Sequence, residues 1–393
     1  MSKKKPDNKQ SSSRPKSRSG PSKKAINAKL ADFKARMLAI TKDTRIALLH
    51  DTDADGICSG VLLAKAIERM RGKPIDEVIY QPHKNVGITK ENALKCKKIK
   101  IDILFTVDKA VDEDRELLEN ASLFFKVVSI DHHQFKDDAT DEMVFVIKSQ
   151  MISDLDGGRY PASKLVYDLF SPLVDIADLD WVSTAGLIGD GSYQTWKDFV
   201  DDTLKKYRMH PKQDIFDSDL GLIARYIGSA VMFDSRNSKV AFDILLKSGK
   251  PEDLLSSRLK QYEEEIGKEI SFWISEHKKR AKFFPELELI FYVVSPRFPL
   301  NSPLSSILSQ KYYPESTLVV VHDSGESILG VSLRRQDYKV DCPSLVKAAC
   351  VGLKDASGGG HIPAAGGKVR REDLDQFLEN IKSEIASGKH RRD

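Results

Sequence analysis

The sequence has few of the features that mark membrane, secreted or disulfide-rich proteins. No apolar run approaches the roughly 20 residues that a membrane span needs, so we expect no membrane association. The first residues, MSKKKPDNKQ, lack the apolar stretch that follows the charges of a secretory signal. The 4 cysteines are scattered, with no CxxC pair, which argues against a disulfide framework or a zinc knuckle. These absences predict a protein of the reducing cytoplasm.

Charge is plentiful but unevenly spread. Charged residues make up 31% and hydrophobic residues 40% of the chain, as in an ordinary globular protein, and the net charge is only +4. Lys, Arg, Ser, Pro and Gly dominate the first 25 positions or so, with almost nothing to bury. We therefore predict a basic, largely disordered tail over residues 1–40. It is either a solubilising extension or an electrostatic arm for nucleic acid.

The pattern from about residue 44 alternates between strands and helices. Five β-type runs are RIALLH, DEVIYQPH, DILFTVD, FKVVSIDHH and EMVFVIKS, and helical segments separate the first four. This alternation predicts an α/β domain with a mostly parallel sheet over 41–200. A helical connector is expected over 201–284 and a smaller α/β domain over 285–393, with the active site in the cleft between the two domains.

The first strand ends in a run of acids. In HDTDADG, the residues Asp51, Asp53 and Asp55 alternate with others, and residues two apart in extended backbone point to the same face. Three like charges on one face repel each other. They are tolerable where they are solvated or where a cation lies among them.

Other segments place acids and histidines at the same edge. Asp108 follows the third strand, Asp131, His132 and His133 end the fourth, and Asp190 ends a later helix. Taken singly, such residues are commonly helix caps or structural side chains, but the carboxyl ends of parallel strands meet at one edge. Oxygen ligands with imidazole suit Mn²⁺ or Mg²⁺, and this many acids suffice for two ions about 3.5–4 Å apart.

The segments DTDADG, TVD, SIDHH and LIGD, in this order, resemble the four motifs of the DHH phosphoesterase family. The resemblance implies one set of ligands for each of two cations and one carboxylate shared by both. These are Asp51 and Asp53 for the first ion, Asp55, His132 and Asp190 for the second, and Asp108 as the bridge. It also implies that His133 faces the phosphate and that Asp131 orients the histidines.

The chain departs from the family pattern at two places. Lys109 and Ala110 stand where the family often has a glycine, so the turn after Asp108 differs. Leu49 stands where many members carry a histidine, and Asp51 is expected to substitute for it, as it does in the RecJ-like branch.

A second motif lies near the C-terminus. The run GGGHIPAAGG contains Gly358, Gly359, Gly360 and His361, and consecutive glycines let backbone N–H groups approach an anion. At this distance after the first motifs it resembles the DHHA1 domain, which implies a glycine loop that binds substrate. Upstream, VSLRR ends in Arg334 and Arg335, and the resemblance implies that one of them, Arg334 first, contacts the phosphate; the alternative for each is a solvated surface arginine.

The resemblance implies hydrolysis of a phosphodiester by a water that two divalent cations activate, Mn²⁺ favoured over Mg²⁺, without an organic cofactor. The leading hypothesis is a RecJ-like exonuclease of the archaeal type, acting on single-stranded DNA, RNA or both. Replication proteins of the GINS type or RNA-processing proteins are the partners that such a resemblance suggests.

Two alternatives remain open at this point. One is a phosphoesterase for small substrates such as oligoribonucleotides, phosphoadenosine phosphate or cyclic dinucleotides. The other is a replisome scaffold subunit with weak or no activity, which the retained metal-binding acids disfavour. A long single-stranded substrate needs aromatic platforms, and the sequence alone does not place Trp181, Trp196 or Trp273 in one.

Overall fold

The computed structural model describes residues 20–81, 87–135 and 137–392, without the side chain of His361. It divides into two compact units. The first runs to Val231 and includes Ser235–Ser257, and the second comprises Met232–Asp234 and Arg258–Asp393. The helices predicted as a separate connector are therefore shared between the two units.

The first unit is built on a parallel sheet, as the strand–helix alternation predicts. Its strands are β1 (Ile46–His50), β2 (Glu77–Ile79), β3 (Ile103–Val107), β4 (Lys126–Asp131) and β5 (Val144–Lys148), in the order β2-β1-β3-β4-β5. All the pairings are parallel. The chain moves outward in one direction from β1 to β2 and in the other from β3 to β5. The carboxyl ends of β1 and β3 thus flank a switch point, where ligands of such sheets bind.

Helices surround this sheet. In chain order they are α1 (Lys23–Leu38), α2 (Ala54–Arg71), α3 (Lys90–Lys98), α4 (Arg115–Ser122), α5 (Ser149–Ile152), α6 (Ala162–Phe170), α7 (Asp180–Gly189), α8 (Lys197–Lys206), α9 (Asp219–Phe233), α10 (Asn237–Lys247) and α11 (Pro251–Leu255). One face of the sheet packs against α3 and α4 through a core that includes Leu104, Val127, Cys96 and Leu118.

Helix α1 lies inside the range predicted as a disordered tail. Residues 1–19 of that prediction lie outside the described residues, but Lys23–Leu38 is helical and Ser22 caps it. Phe33 is buried and stacks edge-on against Phe170, with ring centroids 5.4 Å apart. Only Phe33 and Met37 of this helix are buried, so it has no broad apolar face that would distinguish it from the tail in the sequence. The predicted tail is therefore too long at its C-terminal end.

The second unit is the smaller α/β unit that the sequence predicts. It contains α12 (Leu259–Arg280), β6 (Lys282–Phe284), β7 (Leu289–Val294), α13 (Asn301–Lys311), β8 (Thr317–His322), β9 (Ile328–Arg334), α14 (Cys342–Ala349), β10 (Ser357–His361), β11 (Ala364–Arg370) and α15 (Leu374–Ala386). The sheet order is β10-β11-β9-β8-β7-β6, and only β7 and β8 pair in parallel.

The glycine motif forms strands rather than a loop. Gly358–Gly360 lie in β10, which pairs antiparallel with β11. Gly360 has φ 144°, a backbone conformation that favours glycine, and a Cβ there would come within 2.5 Å of the carbonyl oxygen of Ala364. Since β10 is at the edge of its sheet, backbone groups on its outer side are not used by a neighbouring strand.

Among the described residues, no helix combines the length and the apolar character needed to cross a membrane.

Candidate metal centre

The strand register brings the acids of three strands side by side. His50 is level with Val107, and Val107 is level with Ile130. The ladder continues one step further, because the N–H of Asp51 donates to the carbonyl of Val107 at 3.3 Å and the N–H of Asp108 donates to that of Ile130 at 3.0 Å. Asp108 has φ 57°, a conformation that Asp and Asn tolerate better than most residues.

The acids after β1 are positioned by the start of α2. Asp53 is the N-cap of this helix, and its carboxylate accepts from the N–H of Gly56 at 2.8 Å. A Cβ on Gly56 would lie 2.6 Å from the carbonyl carbon of Asp51, so only glycine allows this close approach. The sequence DADG is therefore the local signal for this geometry.

Asp55 joins α2 to α6. Its two carboxylate oxygens accept from the N–H groups of Ala162 at 2.7 Å and Ser163 at 3.0 Å, at the N-terminus of α6, where the helix dipole favours negative charge. Helix α7 also packs tightly on α2, since a Cβ on Gly189 would lie 2.7 Å from that of Ala54. This packing holds Asp190, the C-cap residue of α7, within electrostatic range of Asp55.

Two groups of side chains offer ligand atoms that lie within 4.8 Å of one another. The first group is Asp51, Asp53 and Asp108, and the second is Asp108, His132 and His133. Asp108 is common to both, as a bridging ligand requires. The second group contains His133, which the resemblance assigns to the phosphate. Neither group contains the expected ligands Asp55 and Asp190, whose charges raise the pKa of His132.

The donors around Asp108 fit a cation. His132 Nδ1 lies 2.9 Å from the carbonyl oxygen of Gly157, so this nitrogen carries a proton and donates it. In a neutral ring the lone pair of Nε2 then faces Oδ1 of Asp108, 3.1 Å away. Two acceptors that face each other need a proton or a metal ion between them. Oδ1 of Asp108 is buried, so its charge has to be neutralised by that proton or ion.

The pKa shifts of the acids and of His132 also indicate a site for cations. Burial raises the pKa of Asp108 well above its usual range, and the charges of Asp53 and Asp55 raise it further. Burial and the charge of Asp55 raise the pKa of Asp190 to about 7. Burial alone would lower the pKa of His132, but Asp108 and its acidic neighbours raise it to about 11. The cluster thus has an excess of negative charge that divalent cations would neutralise.

His133 is held by a buried line of alternating charges. Its Nδ1 donates to Oδ1 of Asp131 at 2.7 Å, and Oδ2 of Asp131 lies 3.0 Å from Nζ of Lys148. Lys148 also lies 2.9 Å from Asp112. Burial opposes ionisation of Asp131, but the hydrogen bond from His133 and the charge of Lys148 hold its pKa below its usual range. The other histidine, His132, is oriented by a carbonyl instead.

Two lysines at this edge were missed as site residues. Lys109 is buried, and its Nζ lies 3.3 Å from Oδ1 of Asp51, so it brings a positive charge to the first group of ligands. Lys148 is fully buried at the end of β5. Their positions in the sequence could have identified them, because each lysine lies at the carboxyl end of an apolar strand, at the same edge as the acids.

The predicted arginines of the second unit have different surroundings. Arg335 is buried and pairs with Asp337 and Glu288, each at 2.7 Å. Arg334 donates to Ser302 at 3.0 Å and to the carbonyl oxygens of Leu333 and Ala365, and makes no ion pair within the described residues. Arg334 is thus the one of the two whose charge is not already neutralised. The side chain of His361 lies outside the described part.

Family models match two parts of the chain. The model described as the DHH family, N-terminal domain, matches residues 45–185, and the DHHA1 domain model matches residues 301–387. Together they cover more than half of the chain. No curated protein matches it by sequence comparison.

Several solved structures share the fold. A member of the s1p family of ribosomal proteins with a DHH domain is 18% identical, with a TM-score of 0.70 over 95% of this chain and 94% of that one. The exonuclease RecJ bound to manganese is 18% identical, with a TM-score of 0.62 over 91% and 94%. RecJ of Thermus thermophilus in complex with Mn²⁺ is 17% identical, with a TM-score of 0.63 over 94% of this chain but 55% of that protein.

Proposed function

Because the chain belongs to the DHH family and carries a DHHA1 domain, we propose that it is a metal-dependent phosphodiesterase that acts as a RecJ-like exonuclease on single-stranded nucleic acid. The observation that carries the proposal is the position of Asp108, shared by two groups of ligands and facing Nε2 of His132. Its buried Oδ1 lies 3.1 Å from Nε2 of His132, and a cation bound in place of the shared proton would have Asp108 as a bridging ligand.

The residues have distinct roles in this proposal. Asp51 and Asp53 would hold one cation, His132 with Asp55 and Asp190 the second, and Asp108 both. When bound, the cations supply charge stabilisation on phosphoryl oxygens and lower the pKa of the attacking water.

His133 is placed to act on the phosphate directly. Its Nδ1–H is fixed on Asp131, and this hydrogen bond raises the pKa of the ring. The protonated ring keeps Nε2–H as a donor for a phosphoryl oxygen, and this donor would stabilise the charge that develops during hydrolysis.

A polymeric substrate is favoured by the basic N-terminal sequence and by Arg334, the uncompensated cation beside the glycine strands. The RecJ structures that share the fold support the same class of substrate. In the second unit, the outer edge of β10 would add backbone N–H groups as phosphate donors.

The test is a time course with 5′-labelled single-stranded DNA and RNA 20-mers and with dinucleotides, in Mn²⁺. Progressive shortening of the 20-mers is expected. Immediate release of labelled mononucleotide indicates 5′→3′ digestion, and a descending ladder indicates 3′→5′ digestion. If only the dinucleotides are hydrolysed, the proposed exonuclease activity is wrong and the protein is a phosphodiesterase for small substrates.

Arg334→Lys should weaken substrate binding, because an ammonium cannot keep the several hydrogen bonds of the planar guanidinium. We expect KM for the 20-mer to rise roughly tenfold, the loss of about one charged hydrogen bond, with little change in kcat. Steady-state kinetics measures this. Arg335→Lys is the matched control: it should lower the unfolding temperature, because it disrupts the pairs with Asp337 and Glu288, and should leave KM unchanged. Equal KM effects in the two variants would contradict the assignment.

Lys109→Met should strengthen metal binding, because it removes the positive charge beside Asp51. A charge at this range changes the half-saturating Mn²⁺ concentration by roughly tenfold, downward in the variant. Isothermal titration of the protein with Mn²⁺ measures this without substrate. A weaker affinity in the variant would show that Lys109 supports the ligand geometry instead of competing with the ion.

A further inference from the structure

An aromatic surface on the second unit lies outside the metal centre and outside the glycine strands. It consists of Phe283 in β6 and of Tyr312 and Tyr313 at the end of α13, and we call it the Tyr312 surface. Tyr312 is 48% and Phe283 41% exposed, so a ligand can reach both rings. Tyr313 lies between them, with centroids 6.0 Å from Phe283 and 6.3 Å from Tyr312.

The middle ring is fixed by a histidine of α12. His277 is buried, and its Nδ1 lies against the carbonyl oxygen of Ile274, so this nitrogen carries the proton. Nε2 therefore accepts from the hydroxyl of Tyr313 at 2.8 Å. The ring of His277 also packs against that of Tyr312, with centroids 5.3 Å apart. The exposed rings thus rest on a rigid base and lose little freedom on binding a ligand.

Positive charges accompany these rings in the chain. Lys278 follows His277, Lys282 precedes Phe283 and Lys311 precedes Tyr312, and all three are exposed. None of them makes an ion pair within the described part of the chain. The nearby acid of α12, Glu276, is already paired with Lys279 and Arg280. Two further acids near the rings in sequence, Glu286 and Glu315, are also exposed. The five basic residues of segments 276–286 and 311–315 outnumber their three acids, so the net charge of these segments is positive.

We propose that the Tyr312 surface is a second contact for single-stranded nucleic acid, separate from the metal centre and from the glycine strands. Exposed rings stack on bases of any identity, and unpaired lysines neutralise phosphates, which together are the features of a sequence-tolerant single-strand site. An apolar protein partner fits less well, because it would leave three lysines unpaired. The inference rests on the proposed function, since only a polymeric substrate could reach a second contact.

Binding is measured with the full chain carrying Asp108→Asn, which is expected to prevent cleavage, and with fluorescent dT20 and rU20. The variant Phe283→Ala/Tyr312→Ala should weaken binding at least about fivefold, since a base–ring stack is worth that much or more. Lys278→Gln/Lys282→Gln/Lys311→Gln should lower the slope of log Kd against log salt by about 0.7 for each phosphate that the variant no longer neutralises.

Matched controls lie on the first unit. Leu123→Ala/Phe124→Ala removes an exposed ring and an apolar neighbour, since Phe124 is 43% exposed. Lys98→Gln/Lys126→Gln/Lys247→Gln removes the same number of exposed charges. Neither control should change the affinity by more than about twofold, because surface substitutions away from a site have small effects.

Hydrolysis of dinucleotides separates this inference from the proposed function. In the background of the active protein, the ring and lysine variants should hydrolyse dinucleotides as the wild type does and lose activity only on 20-mers. Unchanged affinity for dT20 and rU20 in both variants would overturn the inference while leaving the exonuclease intact. An equal loss of activity on dinucleotides would also overturn the inference, because it would show that the rings contribute to folding or catalysis. If the wild type cleaves dinucleotides but neither cleaves nor binds 20-mers, the exonuclease and the second contact both fail.

Discussion

Asp108→Asn should abolish phosphodiester hydrolysis while leaving the fold intact. The substitution keeps the size of the side chain and suits the positive φ of this position, but removes the charge shared by the two groups of ligands. We expect kcat to fall by at least roughly 10²–10³-fold, as when a main source of charge stabilisation is lost. Initial rates on the labelled 20-mer in Mn²⁺ measure this.

The same variant should keep a stability near that of the wild type in the absence of metal. The loss of the buried charge of Asp108 relieves repulsion from Asp53 and Asp55, and the loss of its attraction to His132 offsets this gain. Asp198→Asn, an exposed acid in the first turn of α8, is the control and should change neither activity nor stability. Hydrolysis by Asp108→Asn at a rate near that of the wild type would reject the shared metal ligand.

Lys148→Met should destabilise the first unit strongly. The methionine fills a similar volume but leaves Asp112 and Asp131 buried without their cation. Breaking a buried pair in this way costs about 3–5 kcal/mol. Urea unfolding followed by circular dichroism measures this. Lys126→Met, at the exposed start of β4, should stay within about 0.5 kcal/mol of the wild type.

The loss in Lys148→Met should depend on pH. In the wild type the pKa of Asp131 is lowered, so its ionised form adds stability above its unfolded pKa, and this stability is lost in acid. Without Lys148 the buried carboxylate of Asp131 resists ionisation, and its folded pKa rises. The deficit should therefore shrink from pH 7 to pH 5, as it takes up a proton. A deficit that is constant over this range would show that packing, not charge, holds Lys148 in place.

Much of the first unit follows directly from the sequence. Four of the five strands are largely apolar runs of five or six residues, while β2 keeps only Glu77–Ile79 of the predicted DEVIYQPH. The parallel sheet is predicted and confirmed. The motifs DTDADG, TVD, SIDHH and LIGD also predict that Asp51, Asp108 and His132 lie in one region of the fold.

The contacts that the sequence does not reveal are those that depend on three-dimensional packing. Nothing in the sequence shows that both carboxylate oxygens of Asp55 accept hydrogen bonds from the backbone of α6, since those contacts depend on how α2 and α6 pack. Lys148 looks like an ordinary end to a strand until its neighbours Asp112 and Asp131 are placed. The glycine motif suggests a loop because propensity favours turns, and pairing with β11 overrides that preference.

The hydrogen bond that Asp55 accepts from Ala162 has a consequence for the synthesis of the protein. The acids after β1 leave the ribosome first, whereas α6 and Asp190 follow more than 100 residues later, which takes on the order of ten seconds at typical rates of synthesis. During the first part of that time β1 also lacks its neighbour β3, and until α6 is made three like charges lie close together without the amides that bind Asp55. The nascent segment therefore has the fewest stabilising contacts while only β1 and α2 have been made. During that interval its acids repel the same segment of other nascent chains.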